Sequence, residues 1–429
     1  MKVFYQFCIM NKFLLSLFLT GCVSVATAVT PYEEILADPQ KAGGVYFAYP
    51  ERESKITNPP AGYKPFYASH YGRHGSRYLI SDADYTRIAE TLHKGFQDNA
   101  LTPLGVRVMN DLDSLMIETA KRGGDLTPLG VRQHRGIAER MFTNYPQIFK
   151  GAPEVSARST TVPRCILSMD AFCERLKELN PKIRATRESS GTYMDYLNYH
   201  SDESNTFTSG DWKIEYEKFV EERIHPQRLM KALFNNESYV RKNIKEKNLY
   251  WGLYWIAVDG QNVETKVDFM HLFPTEELYS IWECGNYNNY VCDADFALSN
   301  GLVVGNANNL LNNIIESADA AISSGENSAT LRFGHDGNLM PLAARLHLKG
   351  CDASTADPDS ISTLYANFRV SPMAGNIQMI FFRDEKDKTG KKPILVKFLL
   401  NEEETTIPIP PVSAPFYNWE DVKSFYQQK

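Results

Sequence analysis

The sequence predicts an α/β protein, a mixed sheet flanked by helices and interrupted by a mostly α-helical cap domain. Three observations carry that prediction. Short apolar runs alternate with helix-patterned segments towards both ends of the chain. The stretch from about 190 to 300 has a different texture, with long amphipathic segments, many aromatics and Asn-rich joints. Residues 376–383 and 393–400 read as a hairpin across Asp387-Lys388-Thr389-Gly390-Lys391. The core is therefore expected in two pieces, 29–189 and 301–429, with the cap at 190–300.

Residues 1–28 read as a targeting segment outside the fold. Lys2 and Lys12 supply the positive charge, and Phe13 to Leu19 begins the apolar stretch. Two exits are open. Ala26-Thr27-Ala28 has the small-x-small form of a signal-peptidase site, whereas Leu19-Thr20-Gly21-Cys22 has the form of a lipobox that would leave Cys22 lipidated. Either exit implies export, to the periplasm or the cell surface. No later stretch reaches the ~20 apolar residues of a membrane span.

From 29 to 63, prolines 31, 39, 50, 59 and 60 punctuate an irregular lead-in. Lys64 to Tyr71 reads as a buried strand ended by Gly72, with a helical segment from Arg73 onward. The run Leu-Thr-Pro-Leu-Gly-Val-Arg occurs at 101–107 and again at 126–132, each time a hydroxyl cap followed by proline in a first helical turn. A strand at 154–156, a helix from Val162 to Leu179 and a strand at 182–186 follow. Phe219 to Lys247 has helical spacing; 329–333 returns to strand and 338–348 to helix. Of seven cysteines, five remain beyond residue 28. Cys165 and Cys173 share a helix, eight residues or ~12 Å of rise apart, too far to bridge. Cys284 and Cys292 flank a loop-like Gly-Asn-Tyr-Asn-Asn-Tyr-Val that could close a small bridge. A net charge of −6 argues against nucleic acid as a partner, since that surface is basic.

Three predicted strand ends carry complementary chemistry, and ligands gather at such ends in open α/β sheets. Arg73-His74-Gly75-Ser76-Arg77 places two guanidiniums, which donate paired hydrogen bonds to oxyanions, on either side of an imidazole. Gly75 would let the backbone pass close to the ligand. Arg158-Ser159-Thr160 offers a third guanidinium, with Arg164 read as structural. Gly334-His335-Asp336 offers a donor to phosphate and a carboxylic acid that can protonate a departing alkoxide. His70 and His74 have a spacing that could bind zinc on a helix, but Gly72 and the strand reading argue against that geometry, and the cysteines lack the close pairs of a metal site. His134 reads as a polar helix-face residue or part of the pocket rim, and Arg187 and Lys213 as weak candidates for outer substrate phosphates.

These motifs together resemble the signature of the histidine acid phosphatases, clade 2 of the histidine phosphatase superfamily. The resemblance spans about residues 63–401 and includes Leu126 to Gly130 with Gln133, Arg164 with Ser168, and Leu400-Asn401-Glu402. It implies His74 as nucleophile, Arg73, Arg77, Arg158 and His335 as phosphate ligands, Asp336 as proton donor, and no metal or other cofactor. Leu79 stands where the family often has proline. Tyr78 resembles the Arg-Tyr-Pro form of multiple inositol polyphosphate phosphatases, although those place Ala-Glu after the late histidine where this chain has Asp336. The resemblance implies a small phosphomonoester substrate, foremost an inositol polyphosphate such as phytate. General acid or sugar-phosphate phosphatases are the alternative within the family, and a non-catalytic exported phospho-ligand-binding protein the alternative outside it.

Overall fold

A computed structural model describes residues 29–52, 55–325, 327–387 and 390–427. The targeting segment, with Cys22 and Ala28, lies outside the described residues. Among the described residues, eight strands form one mixed sheet: β1 (Tyr63–Arg73), β2 (Glu154–Ser159), β3 (Arg184–Ser189), β4 (Asn327–Gly334), β5 (Asn376–Asp384), β6 (Leu395–Leu400), β7 (Glu403–Thr405) and β8 (Tyr417–Asn418). Their order is β3-β2-β4-β1-β5-β6-β7, with β8 pairing β6. The β1–β4, β2–β4 and β2–β3 pairs are parallel, and β5 and β6 run antiparallel to their neighbours. The expected hairpin is β5 and β6.

Helices cover both faces, which explains why β1 and β5 read as nearly continuous apolar runs. On one face the helices Pro128–Asn144 and Pro163–Leu179 pack Ile137, Met141, Phe172 and Leu176 against the sheet. On the other lie Asn308–Ser324, Asp336–Arg345 and Trp419–Gln427. Residues 191–305 contain helices and no strand; the longest are Trp212–Arg223, Glu246–Asp259 and Thr275–Asp293. The helices Ala83–Gln97 and Pro103–Thr119 pack on these helical residues, not on the sheet.

The structure departs from the sequence reading in several places. Strand β1 continues to Arg73, and the next helix starts only at Ala83. The lead-in contains a helix, Pro31–Ala37, started by a reciprocal capping box between Thr30 and Glu33. The segment from Phe219 is broken into short helices at Pro226 and Asn236. Cys284 and Cys292 both sit inside Thr275–Asp293, and all five described cysteines are free. The asparagines taken there for turn signals make tertiary bonds instead: Asn286 Nδ2 donates to the Tyr365 carbonyl at 2.8 Å, and Tyr287 and Tyr290 are buried between helices.

Candidate active site

Strand register assembles the site. Arg73 is paired with Gly334 across β1 and β4, and Ser159 with Phe333 across β2 and β4. The residues that follow, His74, His335 and Thr160, therefore emerge side by side at the carboxyl ends of three adjacent parallel strands. The His74 and His335 rings stand 5.7 Å apart. Thr160 Oγ1 lies 3.2 Å from His335 Nε2.

The loop carrying His74 is fastened through its backbone. The amides of Arg73, His74, Gly75 and Ser76 donate, in turn, to the Gly375 and Gly334 carbonyls, Ser168 Oγ and Gln133 Oε1, at 2.8–3.2 Å. Gly75 is required by a different neighbour from the one expected. A Cβ there would meet the backbone of Gly130 at 2.5–2.8 Å, so glycine permits contact with the start of the helix Pro128–Asn144 and not with a ligand. Thr127 completes that clamp. Its hydroxyl caps the helix by accepting from the Gly130 amide and donates to the Ser76 carbonyl at 3.0 Å. This accounts for Leu-Thr-Pro-Leu-Gly, and the earlier copy presses Gly105 against the Leu233 carbonyl in the same manner. Leu79, where the family often has proline, uses its amide: it donates to Tyr85 Oη at 3.0 Å, and that hydroxyl donates to buried Asp259 at 3.1 Å.

His74 is buried, and its Nδ1 lies 2.9 Å from the Gly75 carbonyl. That carbonyl can only accept, so Nδ1 carries the proton and Nε2 keeps a free lone pair. Burial first, then the charges of Arg73, Arg77 and Arg164, hold the imidazole well below its ordinary pKa and keep it neutral. Arg73 is wholly buried; its Nη1 donates to the Val45 and Ser371 carbonyls, and Nη2 lies 3.1 Å from Asp336 Oδ2. Arg77 donates from Nη1 to the Tyr78 carbonyl and from Nη2 to Tyr46 Oη at 3.0 Å. The Nε atoms of Arg73, Arg77 and Arg164 are buried without a protein partner. A buried guanidinium with unsatisfied donors is costly, and a bound oxyanion would satisfy them.

Arg158 does not join this set, which corrects the sequence expectation. Its Nε pairs with Glu188 at 3.1 Å, Nη1 donates to Tyr196 Oη, and its guanidinium lies over the Tyr193 ring. The third guanidinium beside His74 is that of Arg164, at the start of the helix Pro163–Leu179, one turn before Ser168. Arg187 is ion-paired with Asp170 outside the cleft, and Lys213 is exposed near Cys292. His134 is fully buried, not on a rim; with His70 it packs on Phe333, and burial pushes both imidazoles down to about 3.

His335 precedes the helix Asp336–Arg345 and is neutral, with burial the main cause of a pKa near 4. At Asp336 burial alone would raise the pKa, but Arg73, then Arg77 and His335, outweigh it and hold the carboxyl below its usual range. A further carboxyl, invisible to motif reasoning, is Asp293 at the end of Thr275–Asp293. It lies against Gly337, is hydrogen-bonded to Asn289, and is pushed up to about 7 by burial and then by the charge of Asp336.

None of the curated proteins matches the chain. Among solved structures, the multiple inositol polyphosphate phosphatase of Bifidobacterium longum, bound to inositol hexasulfate, is similar at 20% identity and TM-score 0.77, over 90% of this chain and 97% of that one. The phytase of D. castellii is similar at 16% identity and TM-score 0.68, over 91% and 84%. The Hafnia alvei phytase in complex with myo-inositol hexakis sulphate aligns at 13% identity and TM-score 0.51, over 86% and 98%. At these identities the likeness is one of fold: an α/β sheet domain joined to a helical one. The profile of the histidine phosphatase superfamily (branch 2) matches residues 73–401, from the first site arginine to the Asn401 turn after β6. The chain belongs to branch 2 of the histidine phosphatase superfamily and is a phosphoric monoester hydrolase.

Proposed function

We propose that this protein is an exported acid phosphatase that hydrolyses phosphomonoesters, foremost inositol polyphosphates, through a phosphohistidine. One observation carries the reading: three guanidiniums, those of Arg73 and Arg77 buried and that of Arg164 half-buried, turn buried, unpartnered Nε donors towards the surroundings of a neutral imidazole whose Nε2 is free. Arg73, Arg77 and Arg164, with His335, hold the phosphoryl oxygens, and His74 Nε2 attacks phosphorus. The P–O ester bond breaks, its electron pair stays on the leaving oxygen, and Asp336 protonates that oxygen. Water then attacks phosphorus, Asp336 accepts its proton, and the P–N electrons return to Nε2. A binding protein would have no need of an acid at position 336.

In the free enzyme Asp336 is ionised against Arg73. A phosphate dianion draws on the same guanidiniums and adds negative charge beside the carboxyl, so binding raises the Asp336 pKa towards protonation. Activity therefore favours acidic pH. The choice of inositol polyphosphates rests on Tyr78 and on the inositol polyphosphate phosphatase and the phytase among the structural neighbours. Rapid mixing with a phosphate-labelled ester, quenched in alkali, should trap an acid-labile label that is absent from His74→Ala. Turnover without trapped label in the parent would refute the covalent route. Export and the fate of Cys22 are read by fractionating cells that express the parent chain and Cys22→Ala. Membrane association lost in the variant indicates lipidation, and a soluble parent beginning at Val29 indicates cleavage after Ala28.

A further inference from the structure

Resting on that reading of the site, we propose that Asp293 is a positioning residue for the proton donor. It and Asp336 hold one proton between them, carried on Asp293 in the free enzyme and on Asp336 once a phosphoester occupies the guanidiniums. The substrate then meets a cleft that already contains the proton its leaving group needs. The two carboxyls come from distant parts of the chain. Asp336 opens the helix Asp336–Arg345, and Asp293 ends the 19-residue helix Thr275–Asp293. A Cβ on Gly337, the residue after Asp336, would lie 3.3 Å from Asp293 Oδ1 and 3.7 Å from His200 Cε1. The helix ends have opposite polarity. Partial positive charge at a helix start favours ionised Asp336, while partial negative charge at a helix end disfavours ionised Asp293. Arg73 Nη2, 3.1 Å from Asp336 Oδ2, acts in the same sense. Among the described residues, Arg73 is the cation that acts on Asp293, and it does so less strongly than the charge of Asp336.

A chain of amides, oriented from its far end, supports Asp293. Trp282 Nε1 can only donate, and it does so to Asn367 Oδ1 at 3.0 Å. Asn367 Nδ2 therefore donates to Asn289 Oδ1 at 2.8 Å, and Asn289 turns its own Nδ2 to Asp293. That donor can hold Asp293 as a carboxylate after its proton has gone. Burial and then the charge of Asp336 push Asp293 up to about 7, whereas Asp336 is held below the usual carboxylate range. Between those limits the pair carries a single proton. Both carboxyls are half-buried at the cleft, so solvent exchanges the proton and its number matters more than its route. The other titratable groups facing Asp293 are His200, Cys292 and Tyr365. Burial lowers the first and raises the other two, so none is charged where Asp293 ionises. A phosphate dianion on the guanidiniums places its charge beside Asp336 and draws on Arg73, which makes Asp336 the stronger base. The O–H bond at Asp293 breaks as one forms at Asp336. Asp336 then passes the proton to the leaving oxygen and recovers one from the attacking water.

The test is the pH dependence of kcat/KM for an alkyl phosphate and an aryl phosphate in the parent, Asp293→Asn and Asn289→Ala. Asparagine at 293 keeps an acceptor for Asn289 and removes the stored proton. The alkaline limb for the alkyl ester should therefore move down by about one pH unit or more, with kcat/KM at about pH 6 reduced about tenfold. The aryl ester, whose phenolate leaves without a proton, should keep its limb. Asn289→Ala withdraws a hydrogen bond from ionised Asp293 and should move the alkyl limb the other way, up by about half a pH unit. That opposite sign decides the matter should Asp293→Asn misfold. A residue that only supported the fold would lower both esters alike and move neither limb. An alkyl limb that stays in place in any variant that folds, or limbs that move equally for the two esters, overturns the inference, while hydrolysis of the aryl phosphate keeps the reading of the site. Failure of the parent to hydrolyse either ester overturns both.

Discussion

Arg164→Ala and Arg158→Ala form a matched pair, because the two arginines sit six residues apart and only one of them adjoins His74. Arg164 has a buried, unpartnered Nε and a single long contact, Nη1 to the Gly124 carbonyl at 3.5 Å. Its donors are therefore free for charge that develops on phosphoryl oxygens. Removing one such preorganised donor costs about 2.7–4 kcal/mol, or roughly 10²–10³ in kcat. Arg158 is partly exposed and pairs with a partly exposed Glu188, and such pairs contribute about 0–1 kcal/mol. Arg158→Ala should thus change kcat/KM by no more than about fivefold. Arg164→Lys should fall between, since an ammonium keeps the charge and loses the fork. A second readout separates electrostatics from packing. Arg164 helps to depress the His74 pKa, so its removal lets the imidazole protonate more readily and moves the acidic limb of the pH–rate profile upward. Steady-state kinetics on an aryl phosphate across acidic pH measure both effects. A larger loss in Arg158→Ala than in Arg164→Ala would refute the assignment of the third guanidinium.

His74→Ala should abolish turnover while leaving the thermal midpoint near that of the parent, and substantial residual hydrolysis would move the nucleophile elsewhere. Asp336→Asn should slow alkyl phosphates by about 10²–10⁴ but aryl phosphates far less, because a phenolate leaves without help; equal slowing would exclude Asp336 as donor. Asp259 is buried, and desolvation pushes its carboxyl well above the ordinary carboxylate range, to about 7. The folded state holds this proton after the unfolded chain has lost it, so stability falls as pH rises from about 4 to about 7, by roughly 4 kcal/mol at most. Asp259→Asn should flatten that fall in urea midpoints, and an unchanged slope would show that the carboxyl is ionised when buried. Gly130→Ala places a Cβ at 2.9 Å from the Ser76 amide and 2.7 Å from Leu126 Cδ1. It should cost about 1–3 kcal/mol in chemical denaturation and lower kcat together, whereas a neutral variant would show that the clamp yields easily.

The central strands β1, β4 and β5 were legible because they are buried on both faces, and β1 and β4 end in charge or glycine at the site. The His74 and His335-Asp336 turns were legible for the same reason: their chemistry is local, and strand register aligns it. Arg158 and Arg164 were not separable by sequence, since either end of a strand–helix junction can face a cleft and packing alone turned Arg164 inward. The tyrosines of the Asn-rich run 284–292 carry the signal that was missed, as aromatics at helical spacing outweigh asparagine's turn preference when the amides find buried partners. Asp293 had no motif to announce it; only the approach of Thr275–Asp293 to Gly337 brings it to the site. Gly75 was rightly singled out for a close approach, but the partner was another stretch of backbone, which one chain segment cannot reveal.

The four consecutive amides from Arg73 to Ser76 all donate to protein atoms, so this turn differs in kind from phosphate-cradling loops that present bare N–H groups to their ligand. Affinity for the anion must come from side chains, each replaceable without rebuilding the main chain. The strength of the grip can therefore be adjusted one charge at a time while His74 stays where it is. On the proposed mechanism, a scaffold of this design can slacken its hold enough to let inorganic phosphate go and still meet the next ester from an unchanged position.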